Sequence, residues 1–127
     1  MKKVAAAVIE KDGYILLARR KKEKKWGGFL EFPGGKILPD ENPAKGLSRE
    51  LQEEFGVEVK IVEFLGVFKN ETVQPEIELW VFRAKMVRSP AYLIDHDEVI
   101  WVQPQAIPLA ELLPLDREIV PLLLKAK

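Results

Sequence analysis

The chain has 127 residues, a length that suits a single domain, and we expect that domain to span residues 1–127. Apolar residues make up 47% of the chain and charged residues 31%, which suits a globular protein and excludes a disordered or fibrous one. Twenty basic and twenty acidic side chains cancel to a formal net charge of zero. Attraction to phosphate, nucleic acid or membrane must therefore come from local clusters of charge.

The residue types present exclude several kinds of catalytic site. There is no cysteine, and His96 is the only histidine, so disulfides, thiolate zinc sites, cysteine nucleophiles and histidine metal clusters are excluded. With serine only at positions 48 and 89, a Ser-His-Asp triad is close to excluded. Catalysis must therefore depend on carboxylates. The apolar run 4–9 is too short for a signal peptide, and no run is long enough to span a membrane, so we expect a cytoplasmic protein.

The first elements are predicted to be two paired strands. Residues 4–9 and 14–18 are β-prone runs, and the Asp12-Gly13 pair between them predicts an antiparallel hairpin. The segment 19–25 that follows carries six positive charges and one negative. It predicts a flexible basic loop, which either meets an anion or is simply solvated.

A helix is predicted over residues 43–55. Asn42 is a favourable N-cap, Pro43 suits the first helical position, and Gly56 suits the position that ends a helix. A 3.6-residue period places four apolar side chains on one stripe, which must face the core. These are Ala44, Leu47, Leu51 and Phe55.

The second half of the chain predicts further strands and then helices. Apolar residues on both faces of the run 77–84 favour a central strand. Pro108 and Pro121 should shorten or kink the helices near the end of the chain. The remaining predicted elements are one or two strands over 57–68, a short strand over 99–102, and helices over 105–113 and 116–125.

Three carboxylates on the predicted helix point to a metal site. Glu50 is spaced i, i+3 from Glu53 and i, i+4 from Glu54, where like charges repel by roughly 0.2–0.5 kcal/mol per pair. Such a cluster is either an exposed acidic face or a set of oxygen ligands for a hard cation such as Mg²⁺, Mn²⁺ or Ca²⁺. We expect Gly46 on the outer side of the same helix, where its missing side chain makes room for a ligand or for a packed loop.

The spacing around these carboxylates resembles that of a known enzyme family. Residues 35–57 match Gly-x5-Glu-x7-Arg-Glu-aliphatic-x-Glu-Glu-x-Gly-aliphatic without deviation, which is the signature of the Nudix hydrolases. A chance match is on the order of one in 10¹⁰ per start position. The segment 30–37 and the Arg19-Arg20 pair are similar to the MutT-type branch, which removes damaged nucleotides from the nucleotide pool.

The resemblance implies a fold and a metal-dependent reaction. The fold would be an α/β/α sandwich with a central mixed sheet and a loop-helix-loop motif. A divalent cation, either Mg²⁺ or Mn²⁺, would be held against a diphosphate. Glu53 is the favoured general base, and its competitor is an acid that precedes Trp101. For that acid Glu98 is favoured and Asp95 comes second. His96, which lies beside them, is expected to be a loop residue. The metal ligands implied are the Gly34 carbonyl, Glu50, Glu53, Glu54 and Glu98; Arg49 joins the catalytic set, and Gly35, Glu41 and Gly56 shape the motif.

The same resemblance implies which residues contact the nucleotide. Arg20, Phe32 and Lys36 are expected to bind substrate, although Phe32 is equally well explained as a core residue. Asp116 is expected to accept hydrogen bonds from a base edge, as cytosine or an oxidised guanine would offer. Its alternative role is helix N-cap.

The function expected from the sequence is hydrolysis of nucleoside triphosphates to monophosphates and pyrophosphate with Mg²⁺. Oxidised guanine or cytosine nucleotides are the expected substrates. The basic segment 19–25 leaves open the 5′ end of RNA as substrate, and dinucleoside polyphosphates are a further option. A nucleotide sensor without turnover is the third interpretation, and a monomer or a homodimer suits each of them.

Overall fold

The computed structural model describes residues 2–70, 76–88, 90 and 92–124. The predicted region 116–125 ends at Lys125, which lies outside the described residues. The strands are β1 (Lys2–Lys11), β2 (Tyr14–Arg20), β3 (Leu30–Glu31), β4 (Gly34–Lys36), β5 (Val59–Asn70), β6 (Ile77–Met86) and β7 (His96–Val102); the helices are α1 (Pro43–Phe55) and α2 (Val120–Leu124), with short 3-10 turns over Pro104–Ala106, Leu109–Glu111 and Leu115–Ile119.

The strands form one mixed sheet. Its order is β3-β2-β1-β6-β5, with β4 paired to β1 and β7 paired to β2. Strands β1 and β6 run parallel, and the other pairs are antiparallel. The predicted central position of β6 is confirmed, because β1 and β5 flank it. The hairpin is also confirmed: Asp12 and Gly13 have φ of 53° and 84°, the positive values of a tight two-residue turn.

Helix α1 begins and ends where its capping residues predict. The Asn42 side chain accepts hydrogen bonds from the backbone N–H groups of Ala44 and Lys45, and Gly56 adopts the left-handed conformation with φ 60°. The predicted outer position of Gly46 is wrong, but the packed-loop alternative is confirmed. Gly46 is buried, and a Cβ there would lie 2.6 Å from Ile37 Cδ1 and 2.8 Å from Glu41 Oε1. The missing side chain makes room for the packed loop that precedes the helix.

The two faces of the sheet are covered by different parts of the chain. Side chains alternate along β1, so that Ala5, Ala7 and Ile9 pack beneath α1 while Ala6 and Val8 pack beneath the C-terminal segment. This is the expected α/β/α arrangement. None of the helices in the described residues is long and apolar enough to cross a membrane.

The structure corrects several sequence predictions. The helix predicted over 105–113 is replaced by two short 3-10 turns, since Pro104 and Pro108 interrupt the segment. The region predicted as a helix from 116 is a 3-10 turn followed by the short α2. Strands β3 and β4 were not predicted, because two and three residues are too few to show a period. The predicted strand 57–68 is the single strand β5.

Candidate active site

A cavity of about 350 Å³ opens between β1, β4, α1 and the start of β7. It is lined by residues from both faces of the sheet and combines cationic and anionic side chains. The cations are Lys2, Arg20, Lys24 and Lys36; the acidic residues are Glu31, Glu50, Glu54, Asp95 and Asp116, and His96 lies among them. Mixed charge of this kind suits a ligand that brings both phosphate groups and a counter-cation.

Arg49 organises the carboxylates of the motif. Its Nε and Nη2 atoms donate to the two oxygens of Glu41 at 2.7 and 3.0 Å, a bidentate pair that fixes both groups. Its Nη1 atom donates to Glu50 at 3.0 Å and to Glu53 at 2.9 Å. Because of this pairing the pKa of Glu41 lies below its usual range and the pKa of Arg49 is raised. A further bond from Nη2 to the Lys36 carbonyl at 3.1 Å ties the helix to the end of β4.

Two glycines allow β4 to approach its neighbours. A Cβ on Gly34 would collide with the Ala5 carbonyl oxygen, and a Cβ on Gly35 would collide with the Glu50 carboxylate. The glycines therefore bring the β4 backbone against both β1 and the first carboxylate of the helix. Only glycine allows this close approach of the β4 backbone.

Glu54 and Asp95 form a coupled pair of acids on the cavity wall. Burial and the adjacent Asp95 raise the pKa of Glu54 to about 7. When it carries a proton, Glu54 donates a hydrogen bond to Asp95. The pKa of Asp95 is lowered chiefly by its ion pair with Lys24, at 2.7 Å from Nζ to Oδ1. The Oε2 atom of Glu54 is buried and has no hydrogen-bond partner among the described residues.

The cavity offers carboxylate oxygens of the type that binds a divalent cation, although these oxygens do not converge on one point. Among the described residues no three His, Asp or Glu side chains stand together in a metal-binding arrangement. The unpartnered oxygen of Glu54 and the carboxylate of Glu50 are oxygen donors of the kind that Mg²⁺ and Mn²⁺ prefer. Glu50, Glu54 and Asp95 are thus the side chains of the cavity that could hold such an ion.

Three of the predicted metal or catalytic residues do not line this cavity: Arg49, Glu53 and Glu98. Glu53 is 57% exposed at its side chain and bonds to Arg49. Glu98 points to the other side of β2, where its carboxylate accepts from Arg19 at 2.7 Å. The structure brings Asp95 into the cavity, and not Glu98. His96 pairs with Arg20 and Glu98 pairs with Arg19, and this bulge in the register turns Glu98 away from the face on which His96 lies.

A second group of side chains surrounds Glu31. Both Glu31 oxygens accept from Arg20 Nη1 at 3.2 Å, and Oε2 lies 2.6 Å from His96 Nε2. The expectation that His96 is a loop residue is wrong: it is the first residue of β7 and is 5% exposed. Its ring stacks on Phe55 at 5.0 Å between centroids.

Asp116 lies on the opposite wall and is almost fully buried. Its Oδ2 atom accepts from the Phe32 backbone N–H at 2.9 Å. Burial, with a further contribution from the charge of Glu31, raises the pKa of Asp116 to about 7. The alternative role as N-cap is wrong, because Pro114 precedes the 3-10 turn and Asp116 lies inside it. Phe32 is itself buried in the core as well as lining the cavity.

Sequence reasoning assigned no role to Glu31 or Lys24. Glu31 lies in the segment 30–37, directly before Phe32. A carboxylate next to an expected base-binding residue could have indicated that Glu31 belongs to the site. Lys24 carried no such signal, because its neighbours in the basic segment are also lysines. Only the folded loop shows that Lys24 lines the cavity, whereas Lys21, Lys22 and Lys25 do not.

The fold and the carboxylate motif define a hydrolase of phosphoric anhydrides built on an α/β/α sandwich. The NUDIX domain family matches residues 1–123, and the chain belongs to this family. It is a Nudix hydrolase, an enzyme that acts on pyrophosphate bonds of nucleotides. Enzymes of this family generally use a divalent metal.

Individual relatives narrow the comparison. The chain is 35% identical over 123 residues to a CTP pyrophosphohydrolase of Escherichia coli strain K12, covering 97% of this chain and 89% of that protein. It is 39% identical over 80 residues to an 8-oxo-dGTP diphosphatase of Proteus vulgaris, covering 62% of this chain and 71% of that one. The crystal structure of a MutT protein from Methanosarcina mazei Go1 superposes with a TM-score of 0.84 at 26% identity, covering 98% of this chain and 94% of the other.

Proposed function

We propose that the protein hydrolyses nucleoside triphosphates to nucleoside monophosphates and pyrophosphate in the presence of Mg²⁺ or Mn²⁺. Cytosine nucleotides and oxidised guanine nucleotides are the proposed substrates. The relatives named for CTP and for 8-oxo-dGTP support these two bases. Removing such nucleotides would clean the nucleotide pool.

One observation carries the proposal: a single cavity has the motif carboxylates on one wall and a buried carboxylate on the other. Glu50 and Glu54 stand at the end that faces β4, and Asp116 stands beside Phe32. A nucleotide has the same two parts, a polyphosphate that binds with cations and a base edge with hydrogen-bond donors. Lys24 and Lys36 add positive charge for the phosphate groups.

Each side chain then has a definite task. Glu50, Glu54 and Asp95 would hold the divalent cation with the Gly34 carbonyl, and the cation would neutralise phosphate oxygens and acidify water. Arg49 fixes Glu50 and Glu53 in place, and Glu41 fixes Arg49. Arg20 and Lys36 would contact phosphate. Glu53 remains our proposed general base, in competition with Asp95, since Glu98 bonds away from the cavity.

Asp116 would select the base by accepting hydrogen bonds. Its Oδ2 already accepts from Phe32 N–H, which leaves Oδ1 for an N–H donor of the substrate. Cytosine offers an amino group, and oxidised guanine offers several N–H donors on one edge. A buried acceptor discriminates strongly, because a base without the matching donor leaves the carboxylate unpaired.

The test is product analysis by mass spectrometry over nucleoside triphosphates, oxidised nucleotides, dinucleoside polyphosphates and nucleotide sugars, with and without Mg²⁺. A monophosphate plus pyrophosphate from a cytosine or oxidised guanine triphosphate, only with metal, is the expected result. Glu54→Gln should abolish it, while the matched change Glu58→Gln should not, because Glu58 is exposed and pairs with Arg88. Nucleotide binding without any product would instead indicate a sensor.

The basic loop favours one second candidate, the 5′ end of RNA. Residues 22–26 are exposed, and the Trp26 ring is 48% exposed, so cationic and aromatic groups both face solvent as they do in strand-binding grooves. A triphosphorylated RNA oligomer in the same panel tests this candidate. Its hydrolysis should fall much more steeply with salt than that of a mononucleotide.

A further inference from the structure

The single histidine of the chain has no task in the reaction proposed above, although it is buried in the wall of the same cavity. His96 is 5% exposed, and its Nε2 atom lies 2.6 Å from Glu31 Oε2. Burying a polar ring costs free energy unless its hydrogen bonds are satisfied. The short contact with Glu31 is therefore the interaction that satisfies the buried His96 ring at Nε2.

The sheet determines how these side chains meet. Glu31 on β3 is paired with Ala18, and His96 on β7 is paired with Arg20, so both flank β2 from opposite sides. Paired residues point to the same face of a sheet. Ala18 and Arg20 are two residues apart and share that face. The small side chain of Ala18 leaves space for Glu31 and His96 to reach each other across β2.

The imidazole is held in one orientation by a second contact. Its ring stacks on Phe55, the last residue of α1, with planes 20° apart. Its Nδ1 atom is buried without a hydrogen-bond partner among the described residues. A hydrogen on Nδ1 would thus be a buried donor without an acceptor, which costs more than a bare nitrogen. The tautomer with hydrogen on Nε2 fits, and it makes His96 a donor to Glu31.

We propose that His96 is a positioning residue that holds the Glu31 carboxylate against the cavity, so that Glu31 and Asp116 together read the base. This inference rests on the proposed function. Arg20 Nη1 donates to both oxygens of Glu31, and its Nε donates to the Lys25 carbonyl of the exposed basic segment at 2.9 Å. The imidazole is buried, stacked on Phe55 and directed at Oε2 alone. His96 is therefore the partner that determines where the free lone pairs of Glu31 point.

The first test is a double-mutant cycle on base discrimination. His96→Phe keeps the ring against Phe55 and removes the donor, and Glu31→Leu removes the acceptor, which glutamine would keep as an amide oxygen. We expect His96→Phe to reduce the ratio of kcat/KM between the best and the poorest nucleotide by about tenfold, with kcat changed by less than about threefold. In the Glu31→Leu background the same change should have almost no further effect. His96→Gln, which restores an N–H donor, should recover part of the discrimination.

The second test does not need turnover. His96 is the only histidine, so its ring nitrogens give one unambiguous set of NMR signals. We expect the Nε2–H tautomer, a large shift of that nitrogen in Glu31→Gln, and none in Asp97→Asn, since Asp97 is exposed on β7 beside it. A non-hydrolysable nucleotide should shift the same signal.

These readouts separate the two proposals. If no nucleotide is hydrolysed by the wild type, the proposed function fails, while the nitrogen shifts and the binding preference of a non-hydrolysable nucleotide series still test His96. Unchanged discrimination in His96→Phe would overturn the inference, and so would losses that add in the double variant. Insensitivity of the His96 signal to Glu31→Gln would overturn it as well.

Discussion

Asp116→Asn should make the protein more stable and less selective, with the gain in stability confined to neutral and alkaline pH. Burial raises the pKa of Asp116 from its ordinary 3.8 to about 7. One pKa unit corresponds to 1.36 kcal/mol, so ionising this group in the folded protein costs about 4 kcal/mol relative to the unfolded chain. Asparagine keeps an oxygen for the Phe32 N–H and carries no charge.

The sign of this pH dependence of stability follows from the protons bound by the folded and the unfolded protein. Below pH 3.8 the carboxyl is protonated in both states, and it contributes nothing to pH dependence. Between that pH and about 7 the folded state retains the proton that the unfolded state has lost, so stability falls as pH rises. Above about pH 7 the whole penalty is present. Asp116→Asn removes it there, and leaves stability at pH 4 almost unchanged.

Urea denaturation of the wild type and of Asp116→Asn from pH 4 to pH 9 measures the difference directly. We expect the free energies of unfolding to converge at low pH and to separate by up to about 4 kcal/mol at pH 9. Glu118→Gln is the control, because Glu118 is exposed in the same 3-10 turn. A separation that does not depend on pH, or that grows on acidification, would refute the assignment of a buried Asp116 carboxyl with a raised pKa.

Three further substitutions test the motif. Glu53→Gln should lower kcat by about 10²-fold or more if Glu53 is the general base, with an unchanged melting temperature. Arg49→Lys should lower kcat/KM by about 10- to 100-fold, because lysine cannot keep the bidentate pair with Glu41 that positions the carboxylates. Gly46→Ala should destabilise the fold, because the Glu41 carboxylate that its Cβ would crowd is held bidentately by Arg49 and cannot move without breaking that pair. Overpacking costs about 1–3 kcal/mol, against the roughly 1 kcal/mol that alanine gains in a helix. Steady-state kinetics check the first two, and urea denaturation checks the third.

A different result would contradict the prediction for each of the three substitutions. Near-normal turnover in Glu53→Gln, together with a large loss in Asp95→Asn, would move the base to Asp95. Full activity in Arg49→Lys would mean that one positive charge is enough and that the bidentate geometry is dispensable. Lys45→Ala is the control for Gly46→Ala, since Lys45 is exposed on the same helix. A Gly46→Ala protein as stable as Lys45→Ala would show that Ile37 can move aside.

The predictable part of the molecule is the part whose signals are local. Asn42, Pro43 and Gly56 determine the limits of α1 through contacts within one helical turn. The motif lies within residues 35–57, so its spacing alone predicts which carboxylates share a helix. The C-terminal segment was mispredicted because its apolar pattern favours helices while its prolines prevent them. In this segment the helix propensity of the apolar residues competes with the backbone restriction imposed by proline, and the proline restriction is stronger.

The less predictable part depends on side-chain direction across distant strands. Glu31 and His96 are 65 positions apart, and no local pattern indicates that β2 lies between them. Glu98 was favoured over Asp95 as the distal acid, yet the start of β7 directs Asp95 to the cavity and Glu98 to Arg19. A shift of one residue in strand register exchanges the two faces. Sequence spacing could therefore locate the acidic segment without deciding which acid faces the substrate.

The two walls of the cavity are joined by a short piece of backbone, which in the proposed function would link base recognition to phosphate chemistry. Asp116 bonds to Phe32 N–H, the Pro33 carbonyl accepts from Ala7 N–H at 2.8 Å, and Gly34 begins the strand that meets the motif. A base that satisfies Asp116 therefore acts on a segment only two residues from the proposed carbonyl ligand. A base that cannot satisfy it leaves a buried acceptor unpaired at that position. Discrimination should consequently appear in kcat/KM as a whole and not in binding alone, because misplacing this segment also misplaces the phosphate end.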